Sequence, residues 1–450
     1  MKRFYWMALL AFSVGNNAWA MGPFEFYEQA LRNDPVYLGA IKERDAGLEN
    51  RAIGRAGLLP HLGYSYNKGR NQSKVTYLND RGASQHDDRN YSSYGSSLTL
   101  QQPLLDYEAY AAYRKGVAQA LFADESFREK SQALLVRVLS QYTQALFAQD
   151  QIDIAQAKKK AFEQQFQQNE QLFRQGEGTR TDIIEAQARY ELAIAEEIEA
   201  RDEQDAALRE LGSLIGVPAL DIGDLAPLHD TFFQVFALQP ASFDTWHELA
   251  VSNNPSLASQ RQAVDVARFE VERNRAGHLP KVNAYATMRQ NESESGNTYN
   301  QRYDTNTIGL EVSVPLYAGG GVSASTRQAS RNMEQAEYEL EAKTRETLIE
   351  LRRQFSACVS GVNKLRAYQK ALSSAEALVV STRQSILGGE RVNLDALNAE
   401  QQLYTTRRDL AQARYDYLMA WTKLHYYAGT LGAQDLAKVD EAFVSPVDAR

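Results

Sequence analysis

Few residue groupings in this 450-residue chain have the types and spacing that reaction chemistry needs. Gly319–Gly320–Gly321 sits between a strand-like and a helix-like stretch, as a phosphate-cradling loop does, but no Lys-Ser/Thr ending follows it. It reads as a flexible strand-to-helix link. The six histidines are scattered, and His247–Glu248 lacks a second histidine at the offset a helical zinc site requires. Neither a G-x-S-x-G elbow nor a P-loop occurs. The one cysteine, Cys358, lies in a helical stretch and reads as a small buried hydrophobe, so no disulfide can form within the chain. Tyr190 and Tyr404 occupy equivalent places in a sequence repeat and read as packing residues. No catalytic residue, metal or cofactor is expected, and the chain does not read as an enzyme. What remains is charge at two glycine turns: Asp182 after Gly176 and Gly178, and Arg391 and Asp395 after Gly388 and Gly389. Locally, an Asp near a helix start after such a turn is favoured as a cap.

The elements that hold these turns come in duplicate. Ala30–Leu31–Arg32–Asn33–Asp34–Pro35 returns as Ala250–Val251–Ser252–Asn253–Asn254–Pro255, and Leu59–Pro60 returns as Leu279–Pro280, both at an offset of 220. Gln102–Pro103–Leu104 returns as Val314–Pro315–Leu316, and Gly176 with Asp182 returns as Gly389 with Asp395. Each unit is far longer than the ~20–50 residues of a solenoid repeat, so a domain-sized half is duplicated. We expect a leader over 1–20, a first repeat over 21–220, a linker over 221–242, a second repeat over 243–429 and a tail over 430–450. In the first repeat, helices are expected at about 35–58, 105–174 and 181–213, with strands at about 60–70 and 94–104. In the second, helices are expected at about 255–278, 320–387 and 394–427, with strands at about 280–290 and 306–316.

Proline is absent from 105–216 and from 317–444. A proline inside a helix costs ~3 kcal/mol, so such gaps suit very long helices. Residues 105–174 would reach ~105 Å at 1.5 Å per residue, and residues 181–213 only ~50 Å. One long helix can therefore be lined by two shorter ones end to end. Leu365, Tyr368, Leu372, Ala375, Val379, Thr382 and Ile386 form a heptad seam. The matching line Ile152, Ala155, Lys159, Phe162, Phe166, Asn169 and Phe173 carries one inserted lysine. The last long helix has two seams, one through Leu403, Leu410 and Tyr417 and one through Leu397, Tyr404 and Tyr415. Two seams mean neighbours on two sides, which suits a ring of helices.

In 306–316, Ile308, Leu310, Val312, Val314 and Leu316 alternate with polar or small residues, over a length near the ~9–11 residues a strand needs to cross a bilayer. Leu98, Leu100 and Leu104 are their counterparts. Tyr64, Tyr66, Tyr91, Tyr94, Tyr299, Tyr303 and Tyr317 cluster at strand ends, as interfacial girdles do. A pair of soluble hairpins has the same period, but no other sheet is expected to cover the apolar faces. Four strands cannot close a membrane barrel, so spanning strands demand an oligomer. The polar stretches 71–91 and 290–303 read as external loops.

Lys2–Arg3, the apolar run Trp6–Phe12 and Ala18–Trp19–Ala20 make a secretory leader with Met21 as the first mature residue. No cysteine follows the cleavage point, so no acyl anchor is expected. The formal charge of −8, with no basic block, argues against nucleic acid as a partner.

Taken together, the duplicated layout resembles the TolC family of outer-membrane efflux and secretion channels. The landmarks are Gly176–Glu177–Gly178–Thr179–Arg180–Thr181–Asp182 and its echo Gly389–Glu390–Arg391–Val392–Asn393–Leu394–Asp395, with the paired Asn/Asp-Pro, Leu-Pro and strand-Pro-Leu motifs. The resemblance covers about 24–430. It implies a mainly α fold with a β membrane part: duplicated halves, each of two transmembrane strands and long coiled-coil helices. It implies a homotrimer whose twelve-strand barrel in outer-membrane lipid continues into a twelve-helix periplasmic barrel. The implied partners are an inner-membrane ABC exporter, a periplasmic adaptor protein and a secreted polypeptide cargo. The unlipidated start and short tail resemble the protease (type I) secretion branch; a drug-efflux duct is the alternative, and a soluble periplasmic coiled-coil adaptor a third reading. By resemblance, Asp182 and Arg391 hold the closed aperture and Asp395 matches an acidic ring residue. The member that gives the family its name has an Asp and a Tyr where this chain has Asn398 and Ile386, which implies a thinner gate network here.

Overall fold

The computed structural model describes residues 20–229, 235–293, 301–388 and 390–443. Residues 1–19 of the expected leader and the last seven of the tail lie outside them. In chain order the long elements are α1 (Pro23–Asn33), α2 (Pro35–Leu48), α3 (Asn50–Ala56), β1 (His61–Leu78), β2 (Ser84–Leu105), α4 (Tyr107–Arg174), α5 (Arg180–Ile215), α6 (Phe243–Asn253), α7 (Pro255–Arg275), β3 (Lys281–Ser293), β4 (Gln301–Ser313), α8 (Gly321–Leu387), α9 (Asn393–Ala428) and α10 (Ala433–Asp440). They form two compact units. One takes the described parts of Met1–Ala40, Glu129–Asn254 and Glu346–Arg450; the other takes Ile41–Arg128 and Pro255–Arg345.

The second unit carries one antiparallel sheet in the order β1-β2-β3-β4. The repeat is visible in its register: His61 faces Gln101 in the first hairpin, and Lys281 faces Ser313 in the second. Helix and sheet are pinned at the base of the strands, where the Lys281 ammonium lies 2.7 Å from Glu108 and 3.4 Å from Asp106. Three expectations shift. The first hairpin does not open into a loop at 71–91; its ladder runs on to Leu78 opposite Ser84. Alternation marks a strand only where one face is buried, and this polar extension has no such face. Its turn is instead written in Asn79, whose side-chain oxygen accepts from Arg81 and Ala83 N–H (3.1 and 2.9 Å). Similarly, β4 begins at Gln301 and ends at Ser313, before Pro315, which has no N–H to give a ladder. The helix expected at 35–58 breaks at Glu49, because the Asn50 side chain donates to the Gly47 carbonyl (2.9 Å) and competes with the helix ladder.

In the first unit, α1 and α6 each stop before a proline, and Pro35 and Pro255 open the next helix, where their missing N–H costs nothing. The residues at these joints diverge between repeats. Buried Asp34 accepts from Tyr37 N–H (2.9 Å) and pairs with Arg137, whereas buried Asn254 donates to the Tyr427 carbonyl (2.9 Å). Along the long helices, Leu365, Leu410, Ala413 and Tyr417 form one core cluster, and Ala375, Val379, Ala399 and Leu403 another, so the first seam joins α8 to α9. The second seam faces α4: Leu397 packs on Phe162, Tyr404 donates to the Ala157 carbonyl (3.2 Å) and Tyr415 to Asp150 (2.9 Å). Cys358 is fully buried, and burial pushes its thiol up to about 12, which suits an inert packing residue.

The largest core was not foreseen. Tyr142 is fully buried between Phe26 and Phe443, with its hydroxyl 2.9 Å from the Met21 carbonyl and 2.8 Å from that of Ala226. Isolated backbone bridges join Met21 to Leu225 and Leu228 to Phe443. One side chain thus ties Met21, the inter-repeat linker at Ala226 and Phe443, just past α10.

Candidate functional site

The sheet has two chemically opposite faces. Along one, the register sets Leu62, Tyr64 and Tyr66 on β1 beside Leu100, Leu98 and Ser96 on β2, then Ala286 and Met288 on β3, then Ile308, Leu310 and Val312 on β4. Apart from half-buried Ala286, the apolar side chains of this set are exposed in the chain, Ile308 by 90%. The other face is polar: Ser65 and Ser97 hydroxyls lie 2.9 Å apart, Asn71 donates to Ser93 (2.8 Å), and Thr307, Glu311 and Thr99 share that side. Apolar outside and polar inside is the pattern of a lipid-facing barrel wall. β1 and β4 are the sheet's outer strands within the chain, each with one side of its ladder unpaired there. The expected tyrosine girdle narrows to Tyr64, Tyr66 and Tyr94, because strand parity puts Tyr91 and Tyr303 on the polar side. Tyr317 follows the strand end, and Tyr299 lies outside the described residues.

The hairpin tips belong to the other unit. Between α4 and α5, Gly176 takes the left-handed conformation (φ 82°), Glu177 N–H bonds back to Leu172 (2.9 Å) and Gly176 N–H to Phe173 (3.0 Å). That is a Schellman closure, and glycine meets its backbone demand. Gly178 leads to Thr179, which forms a reciprocal capping box: Asp182 N–H donates to the Thr179 hydroxyl (3.2 Å), and Thr179 N–H and hydroxyl donate to Asp182 (3.0 and 2.6 Å). At the second tip, Glu390 N–H bonds back to Ser385 (2.9 Å), as Glu177 does to Leu172, and Gly388 N–H continues the helix ladder to Gln384 (3.1 Å). Gly389 lies outside the described residues. Here Val392 has no side-chain acceptor, and only a 3.4 Å bond from its N–H to Asp395 remains of the box. Val392→Thr should complete it and stabilise the start of α9 by ~1 kcal/mol, read as about five-fold slower hydrogen exchange in its first turn.

Arg391 is exposed and Asp182 half-buried, and among the described residues the chain does not bring them into an ion pair. The tips are tied instead by amides. Gln165 donates to Asn169 (3.1 Å) and to Asn393 at the second tip (3.3 Å), while Asn169 donates to the Asp182 carbonyl (2.9 Å). Arg189 reaches Asn398 at 3.3 Å. Sequence reading named Asn169 in a seam and Asn398 at the gate but missed these contacts; a glutamine-dense helix gives no hint of which amides turn inward. It also missed the partners of the seam lysine. Lys159 pairs with buried Glu197, which Arg201 also contacts (2.6 Å). The Lys159 hydrogen bond holds the Glu197 carboxyl below its ordinary range. Such a depressed acid stabilises the fold fully above the unfolded value of ~4.3 and less as pH falls through the lower folded value. Glu197→Gln should therefore lower the melting temperature at pH 7, and the gap from the parent should shrink as pH falls below about 4.

Comparison with known proteins places this geometry. A family model described as "Outer membrane efflux protein" matches residues 26–217 and 246–430. The chain is 54% identical over 429 residues to "Alkaline protease secretion protein AprF" of Pseudomonas aeruginosa, across 95% of this chain and 89% of that one. It is 47% identical over 431 residues to "Proteases secretion protein PrtF" of Dickeya chrysanthemi, across 96% and 93%. The solved outer-membrane channel OprN shares its fold at a TM-score of 0.79 over 92% of this chain and 90% of that one, with 18% identity. With nearly all of both repeats inside the matched spans, the chain belongs to the outer membrane efflux protein family, the TolC-type channels of the outer membrane.

Proposed function

We propose that three copies of this chain form the outer-membrane exit duct of a type I secretion system, through which a polypeptide such as a protease leaves the cell. The observation that carries it is a sheet with a lipid-suited face, a polar face and two outer strands, in a chain about half identical to proteins named for protease secretion. An open edge in lipid leaves backbone groups unpaired, and four strands fall short of the eight or so that the smallest barrels need. Three copies supply twelve. The duct would receive cargo from an inner-membrane ABC exporter through a periplasmic adaptor, and its constriction would lie at the hairpin tips, lined by Asp182, Arg391 and Asp395. A drug-efflux duct of the same build is the second reading, favoured only by the shared family. Deleting the gene in its host should trap secreted protease inside the cell and leave drug susceptibility unchanged. Normal secretion with raised drug susceptibility would favour efflux instead. Light scattering of the detergent-solubilised protein should give the mass of three chains; a monodisperse monomer would sink the duct altogether.

A further inference from the structure

Just past the apolar band, β1 changes character without changing face. Its ladder with β2 is unbroken from His61 to Leu78, so Lys68, Arg70 and Lys74 share the side of Leu62, Tyr64 and Tyr66. All three are exposed, and none forms an ion pair among the described residues. Of the acids on this face, Asp88 stands opposite Lys74, and the two on β3 and β4 are already engaged. Glu292 accepts from the Tyr94 hydroxyl (2.7 Å), and Asp304 accepts from Gln290 (2.8 Å) and lies 3.4 Å from Arg302. Strand geometry separates the three cations. At ~3.3 Å per residue, Lys68 lies ~7 Å and Arg70 ~13 Å beyond Tyr66 along the strand, and Lys74 ~26 Å. A barrel strand tilts ~35–45°, so the heights above the girdle shrink to ~5, ~10 and ~20 Å. The headgroup layer on each side of a bilayer is only ~5–8 Å thick, from the difference between total and hydrocarbon thickness. Lys68 and, through its long side chain, Arg70 fall within it; Lys74 stands clear and faces Asp88 across the ladder.

We propose that Lys68 and Arg70 form a binding site for the phosphate of an anionic lipid headgroup in the outer leaflet, with the Tyr66 and Tyr94 rings beneath it as a floor. The rings lie 6.5 Å apart and mark the edge of the apolar band. The inference rests on the membrane reading of the sheet. Arginine beside lysine suits phosphate, since the guanidinium fork grips two oxygens while the ammonium adds a point charge. The site would recur in every copy and fasten β1 to the leaflet around it.

The test uses the full-length protein purified in mild detergent from outer membranes. Lipid phosphorus is extracted and counted per chain in the parent, in Lys68→Gln with Arg70→Gln, and in Lys74→Gln. The double variant should lose at least half of the retained lipid phosphorus, and Lys74→Gln should keep it. Added phosphorylated glycolipid micelles should raise the parent's melting temperature, and neither the dephosphorylated glycolipid nor inorganic phosphate should do so. Equal phosphorus in the parent and the double variant would overturn the proposal, as would equal protection by the dephosphorylated lipid. Failure of the parent itself to fractionate with membranes would instead undo the membrane reading on which the site rests.

Discussion

Val312→Arg should abolish outer-membrane assembly, while Glu311→Arg, one residue away, should leave it intact. Val312 is the middle of five alternating apolar residues from Ile308 to Leu316, and it is 63% exposed on the apolar face of β4 opposite Val282. An arginine on the lipid side near the bilayer midplane costs ~2–4 kcal/mol. Carried by each of three copies, that reaches ~6–12 kcal/mol per assembly, comparable to the whole ~5–15 kcal/mol stability of an ordinary domain. Glu311 points to the opposite face, beside Asn283, and is already a charge at nearly the same depth. A sheet that tolerates Glu311 must wet that side. The expected result is a more than ten-fold fall in the membrane-extracted oligomer for Val312→Arg and near-parental levels for Glu311→Arg. If the two behave alike, the sheet's faces do not separate lipid from water, and the barrel reading fails.

The contrast between these neighbours also explains what the residues alone could reveal. Period-two alternation was readable at Ile308–Val312 because one face meets an apolar surrounding. It was unreadable at 71–93, where neither face carries an apolar run and the ribbon is held by its backbone ladder and polar pairs such as Asn71 with Ser93. The long helices were readable because proline is absent and heptads persist, and Leu410, Tyr417 and Leu397 fall in the clusters their seams imply. Buried polar contacts were not. Lys159 and Glu197 stand 38 residues apart on antiparallel helices, and their meeting depends on how those helices slide past one another. Tyr142 was equally silent, since its partners are the carbonyls of Met21 and Ala226, and any sequence supplies carbonyls. At the first tip, the left-handed turn was legible in Gly176. What the charges do there was not, because the same Asp182 serves as a local cap and as a candidate for contacts that one chain does not contain.

Arg391→Ser with Asp182→Ala should raise single-channel conductance in planar bilayers while leaving the oligomer as stable as the parent. Asp182 spends its carboxylate on Thr179, and Arg391 is exposed without an ion pair among the described residues. A neighbouring copy can therefore offer Arg391 an acid without breaking anything in its own chain. An exposed pair of this kind is worth only ~0–1 kcal/mol, too little to hold an oligomer together. Three such pairs around an aperture still bias closed against open by up to ~3 kcal/mol, about a hundred-fold in the ratio of the two states. Asp182→Asn separates the roles, since it keeps an acceptor oxygen for the cap and loses the charge. Combined with Arg391→Ser, it should open the channel as far as Asp182→Ala does. Asp395→Ala should independently weaken block by multivalent cations entering from the tip side, because a ring of carboxylates concentrates cations at a mouth. If the double variant conducts like the parent, Asp182 is a helix cap and nothing more. The closure would then rest on the neutral ties of Gln165, Asn169 and Asn393, and Gln165→Ala would be the substitution that opens the channel.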